Sequence, residues 1–144
     1  MQCVESILQR TDYPAIELII VDHMSSEPQT LNYLKALETS GRARIMPYQG
    51  EYNFSDINNK AATLANGTIL CFLNNDVEPL APDWLAAMVA HALRPRIGAV
   101  GARLIYPSGL VQHAGVVLGV GGFAGHAHRF AHPSEAGYLG RLQA

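Results

Sequence analysis

The sequence predicts an α/β fold in which a mainly parallel sheet carries helices on its faces, and three observations point there. Residues 16–21 form a β-branched run too continuously apolar for a half-exposed strand, as in a parallel strand buried on both faces. Strand-like runs then alternate with segments of helical period, the signature of β-α-β units. Polar residues begin where these runs stop, and in such sheets ligands bind outside the carboxyl ends of the strands.

Along the chain, Cys3, Val4, Ile7 and Leu8 recur at helical spacing until Asp12-Tyr13-Pro14, where the residue before proline disfavours helix. Strand 16–21 follows and ends at Asp22. Pro28 opens a helix with Leu31, Leu34 and Leu37 on one side, Ser40-Gly41 closes it, and 43–46 reads as the next strand. Ser55 or Asp56 is placed to cap a helix through Ala65, with Asn66-Gly67 as its left-handed exit and strand 69–73 directly after. Beyond the Asn74-Asn75-Asp76 turn, Pro82 and Asp83 open a helix whose stripe of Trp84, Leu85, Met88, Val89 and Ala92 reads as core, closed by Pro95. Residues 99–105 are a further strand. From Tyr106 the texture changes: Pro107-Ser108-Gly109 makes a turn, 110–111 and 116–120 are short strands, and Gly121-Gly122 precedes a loop-rich stretch.

At 144 residues, 49% hydrophobic and 15% charged, the chain is sized and composed as one folded domain. Its formal net charge of -2 leaves no basic surplus for a phosphate backbone, which argues against nucleic acid as a partner. Cys3 and Cys71 lie far apart, and Cys71 sits in an apolar run, so reduced thiols with Cys71 buried are expected. With no leader pattern and no apolar run of spanning length, a cytoplasmic location is expected, at the inner face of the membrane in a full-length protein. A dinucleotide dehydrogenase is disfavoured, because Gly119, Gly121 and Gly122 come late and no helical pattern follows them. A nucleotidyltransferase would need a Gly-rich, Arg- or Lys-bearing phosphate loop that the sequence lacks. His113, His126, His128 and His132 lack the accompanying cysteine or acidic spacing of a zinc motif and read as loop histidines; Lys60 and Arg103 read as solvated charges.

The chemistry concentrates in Phe72-Leu73-Asn74-Asn75-Asp76-Val77-Glu78-Pro79, an acidic, amide-rich turn at the end of a strand. A carboxylate there can hold Mg²⁺ or Mn²⁺, which take oxygen ligands and neutralise a diphosphate with only one or two protein carboxylates. From pattern alone Asp76 can equally be a turn cap.

Four stretches in order resemble glycosyltransferase family 2: Ile19-Ile20-Val21-Asp22-His23-Met24-Ser25-Ser26, Asn58-Asn59-Lys60-Ala61-Ala62 with Asn66-Gly67, the D-x-D-like Asn74-Asn75-Asp76, and Pro82-Asp83-Trp84-Leu85. Val100-Gly101-Ala102-Arg103-Leu104 and Gln112-His113-Ala114-Gly115-Val116 resemble a bacterial branch associated with cell-surface polysaccharide synthesis. The resemblance implies a GT-A fold, Rossmann-like and incomplete here, over a partial domain at 1–144. It also implies an inverting transfer of sugar from a nucleotide-diphosphate donor to a glycan or lipid-linked hydroxyl acceptor. Carried over, it assigns nucleotide-sugar binding to Asp22, His23, Asn59, Asn74, Asn75 and Asp76, and the metal to Asp76. Asn74 replaces the first acid of the motif with an uncharged amide. His23 stands where relatives carry a second base-reading acid, and is either a base reader or a solvent-facing loop residue. The family's first strand is not found ahead of the first helix, and its general base and acceptor region are expected beyond Ala144. The fragment is therefore expected to be inactive alone and to associate through an exposed sheet edge. The alternative is a non-catalytic nucleotide-binding or interaction module.

Overall fold

Cys3, Ser6 and Ile7 share the buried face of helix α1 (Gln2–Arg10), so the apolar spacing at the start of the chain is used as a docking stripe. The computed structural model describes residues 1–142; residues 143 and 144 of the domain expected over 1–144 lie outside the described residues. Contacts cluster into two compact units, Met1–Val89 and a second from Ala90 onward, each described by itself below.

In the first unit, strand β1 (Ile19–His23) is joined through helix α2 (Pro28–Thr39) to strand β2 (Arg44–Tyr48), and the two strands pair in parallel from Ile19↔Arg44 to His23↔Tyr48. This is the expected β-α-β unit. Pro28 occupies the first turn of α2, where its missing N–H costs nothing. At the other end Gly41 adopts φ +69, its N–H donates to the Glu38 carbonyl at 3.0 Å, and Arg42 N–H donates to the Leu37 carbonyl at 3.0 Å. Those are the two hydrogen bonds of a Schellman stop. Leu34 and Leu37 are the buried residues of α2, whereas Leu31 is exposed. Pro47 in β2, which cannot donate to a ladder, fits an edge strand.

Helix α3 (Phe54–Leu64) starts earlier than expected: Asn53 is the cap, its side-chain oxygen accepting from Asp56 N–H at 3.0 Å. Its exit also differs. Ala65 leaves in an extended conformation rather than through a left-handed Gly67, because Glu17 takes both the backbone N–H and the side-chain amide of Asn66, at 2.7 and 2.8 Å. Residues 16–18 precede β1, the Leu18 carbonyl accepting from Arg44 N–H at 2.9 Å and Glu17 ion-paired to Arg44 at 3.3 Å.

Residues 69–73 form no strand. A strand exists only against a partner, β1 is hydrogen-bonded to β2 alone, and no described strand runs beside 69–73. Phe72 is accordingly 58% exposed, and Cys71, expected buried, is exposed; both cysteines are free thiols. Helix α4 (Trp84–Ala92) begins in this unit, after the Pro82-Asp83 turn. Its expected core stripe is only half-buried, with the Trp84 indole N–H donating to Thr11 Oγ1 at 3.0 Å.

In the second unit, β3 (Leu104–Ile105) pairs antiparallel with β4 (Val111–His113) around the expected turn, where Gly109 sits at φ +84. The strand expected over 99–105 thus shrinks to two residues. Strand β5 (Val116–Leu118) pairs antiparallel with β6 (Ala124–His126). Val111 is fully buried, its N–H bonded to the Ala131 carbonyl at 2.9 Å and its carbonyl to Phe130 N–H at 2.7 Å. The architecture is a small α/β arrangement with one short parallel pair and two antiparallel hairpins, so the extended parallel sheet expected from the sequence is only partly present.

Candidate functional site

The carboxyl end of β1 brings Asp22 and His23 to the rim of the first unit. One Asp22 carboxylate oxygen accepts from Ser25 N–H at 3.1 Å and closes the bend in which Met24 takes φ +54. His23 is half-buried at the strand end rather than solvent-facing in a loop: its Nε2 donates to the Gly50 carbonyl at 2.9 Å, and its ring meets those of Tyr48 and Tyr52 at centroid distances of 5.7 Å. Because a carbonyl can only accept, Nε2 carries the proton in this contact, which leaves Nδ1 of a neutral ring as an acceptor.

Beside it, Tyr48 OH donates to Asp56 at 2.7 Å and Lys60 Nζ lies 2.8 Å from the same carboxylate oxygen and 5.0 Å above the Tyr48 ring. The Lys60 and Tyr48 hydrogen bonds hold the Asp56 carboxyl below its usual value. Lys60 is therefore committed to Asp56 and not simply solvated. Asn59 projects from the same helix, exposed.

The Asn74-Asn75-Asp76 turn is exposed and is held by α1 at both ends. Cys3 Sγ donates to the Asn74 carbonyl at 3.5 Å. Glu78 accepts from Gln2 at 2.6 Å and pairs with Arg10 at 3.5 Å. Burial pushes the Cys3 thiol up, and the neighbouring Asp76 and Glu78 carboxylates act in the same direction. The role of α1 in fixing this turn was not read from the sequence, since it depends on pairs 68 to 76 positions apart. No hydrogen bond or ion pair among the described residues joins Asp22 or His23 to Asn74, Asn75 or Asp76.

The described residues contain no cluster of three His, Cys, Asp or Glu side chains able to enclose a metal by themselves. One exposed carboxylate flanked by amide oxygens fits Mg²⁺ or Mn²⁺ held jointly with a phosphate-bearing ligand, because such ions keep few protein ligands when phosphates supply the rest.

In the second unit the expected loop histidines lie partly in strands: His113 ends β4 and His126 ends β6, with Nδ1 atoms 2.8 Å apart and rings edge to face. One ring must donate and the other accept, so the contact is lost if both are protonated. Burial and then the charge of His126 lower the His113 pKa. A folded value below the unfolded one means stability is complete above the unfolded pKa, about 6.5, and is lost as pH falls below it. Thermal midpoints of the 144-residue chain are expected to drop between pH 7.5 and 5.5, and His113→Gln to flatten that drop; equal slopes would refute the assignment. Arg103 is likewise tied down, donating to the Leu142 carbonyl at 3.0 Å.

Residues 1–117 match the sequence profile of Glycosyl transferase family 2. The chain is 49% identical over 141 residues to the uncharacterized protein y4gI of Sinorhizobium fredii (strain NBRC 101917 / NGR234), covering 97% of this chain and 16% of that protein. It is 45% identical over 123 residues to the O-antigen biosynthesis protein RfbC of Myxococcus xanthus, covering 85% of this chain and 10% of that protein. The chain thus spans a small part of the length of either relative. No solved structure matches.

Proposed function

The chain belongs to glycosyltransferase family 2, and we propose that it forms the nucleotide-sugar-binding part of an inverting transferase with a GT-A fold. The observation that carries this reading is that the family match, residues 1–117, takes in both the β1 end and the Asn74-Asn75-Asp76 turn. In this reading Asp22 and His23 receive the base, His23 through the acceptor face of Nδ1. Asn59, Asn74 and Asn75 contact the nucleotide sugar, and Asp76 holds a divalent cation together with the donor diphosphate. The cation supplies positive charge where negative charge grows on the leaving group.

Transfer proceeds by single in-line displacement from the anomeric carbon to a glycan or lipid-linked hydroxyl, and the proton-accepting group is assigned to no residue of this chain. Similarity to part of an O-antigen biosynthesis protein supports cell-surface polysaccharide as the product class. No described helix is long and apolar enough to cross a membrane. A thermal-shift panel of nucleoside diphosphates and their sugars, each with and without Mn²⁺, tests the reading. A Mn²⁺-dependent rise in midpoint with at least one diphosphate is expected; no response to any member of the panel would overturn it.

A further inference from the structure

The second unit contains a charge pattern that the transferase reading does not use. From Ala90 onward the sequence holds five arginines (Arg94, Arg96, Arg103, Arg129 and Arg141), no lysine, no aspartate and a single glutamate, Glu135, in a chain whose formal net charge is -2 overall. Glu135 is occupied locally, accepting from His132 N–H at 2.8 Å. Two of the arginines line one cavity of about 420 Å³, formed by residues 101–103, 114–115 and 141–142. Its volume lies in the range of about 300–1,000 Å³ typical of small-molecule sites.

The described residues that line the cavity carry no carboxylate. Arg103 spends one N–H on the Leu142 carbonyl at 3.0 Å, which orients its guanidinium and leaves the other donors of the fork unspent there. Among the described residues the Arg141 side chain makes no hydrogen bond or ion pair. The lining also includes the small residues Gly101, Ala102, Ala114 and Gly115, which let a ligand approach the backbone. Gly115 takes φ +112, a conformation that side chains rarely adopt. The cleft of the first unit, lined by residues 15–18, 41–44 and 66–67, presents two arginines, but Arg44 pairs with Glu17 at 3.3 Å and Arg42 with Glu5 at 3.5 Å.

We propose that this cavity is an oxyanion subsite for a phosphate or diphosphate group, with Arg103 and Arg141 as its paired cations. Two planar guanidinium forks lining one cavity, without a carboxylate among its described lining residues, match phosphate oxygens in charge and in donor geometry. The subsite needs no divalent ion, so a measurement made in EDTA reads it without the proposed metal site.

Calorimetry of the 144-residue chain with inorganic pyrophosphate in EDTA tests this, with hydrogen exchange locating the contact. Binding is expected, with protection at 101–103 and 114–115. Arg141→Gln should weaken it at least about tenfold and Arg103→Lys a few-fold, since lysine keeps the charge but not the fork. Affinity should also fall as salt rises. No binding heat, protection confined to other residues, or unchanged affinity in Arg141→Gln would overturn the proposal. The wild-type exchange map decides the matter even if a variant fails to fold. Uridine diphosphate and farnesyl diphosphate, run as competitors, separate the sources: displacement by the first assigns the subsite to a donor's diphosphate, by the second to a lipid-linked acceptor. Displacement by neither overturns a diphosphate site.

Discussion

Asp76→Ala is expected to weaken Mn²⁺-dependent nucleoside diphosphate binding roughly 100-fold, about 2.7 kcal/mol, while leaving the thermal midpoint of the unliganded chain unchanged. Asp76 is exposed, and no hydrogen bond or ion pair involving it is formed among the described residues. The fold therefore does not draw on its side chain, and surface changes of this kind stay within about 0.5 kcal/mol. The turn itself is held elsewhere, by Cys3 on the Asn74 carbonyl and by Gln2 and Arg10 on Glu78, so its shape survives the substitution. Ligand affinity suffers because the remaining side chains of the turn, Asn74 and Asn75, are neutral amides. Calorimetry with and without Mn²⁺ decides the point. If the variant retains the metal dependence of the wild type, Asp76 is a turn residue only.

The 144-residue chain is expected to self-associate, and Leu70→Lys with Phe72→Lys to return it to a monomer of 15.6 kDa by light scattering. Residues 68–73 are uncharged and rich in strand-forming side chains, yet Leu70 is 47% and Phe72 58% exposed and neither lies in a ladder. β1 is paired on one edge only among the described strands. Unpaired backbone donors and acceptors next to exposed apolar strand formers recruit another chain, and lysine is the residue that natural edges use to prevent it. A wild-type chain that stays monomeric at every concentration would remove the argument.

Much of the local architecture was legible because its causes lie within a few residues. Pro28 and Gly41 mark the ends of α2 through a missing donor and a left-handed stop, and the β1-α2-β2 order follows from the alternation of periods. The departures have both local and distant causes. The α3 cap moved to Asn53, while the Asp56 carboxylate, a candidate cap, is engaged by Tyr48 and Lys60. The Gly67 exit gave way to an extended one as Glu17, forty-nine residues away, took Asn66. The two arginines of the second-unit cavity are thirty-eight positions apart, and nothing in their spacing announces a shared space.

The sequence by itself determined the order β1-α2-β2-α3, the acidic turn at Asn74-Asn75-Asp76 and the motifs of a glycosyltransferase family, because periodicity and turn chemistry are local. Only the tertiary structure decided that 69–73 stands without a ladder, that His23 leans on Gly50, and that Arg103 and Arg141 line one cavity. Strand pairing and charge placement depend on which distant segments arrive alongside, and a residue's own neighbours in sequence carry no record of that.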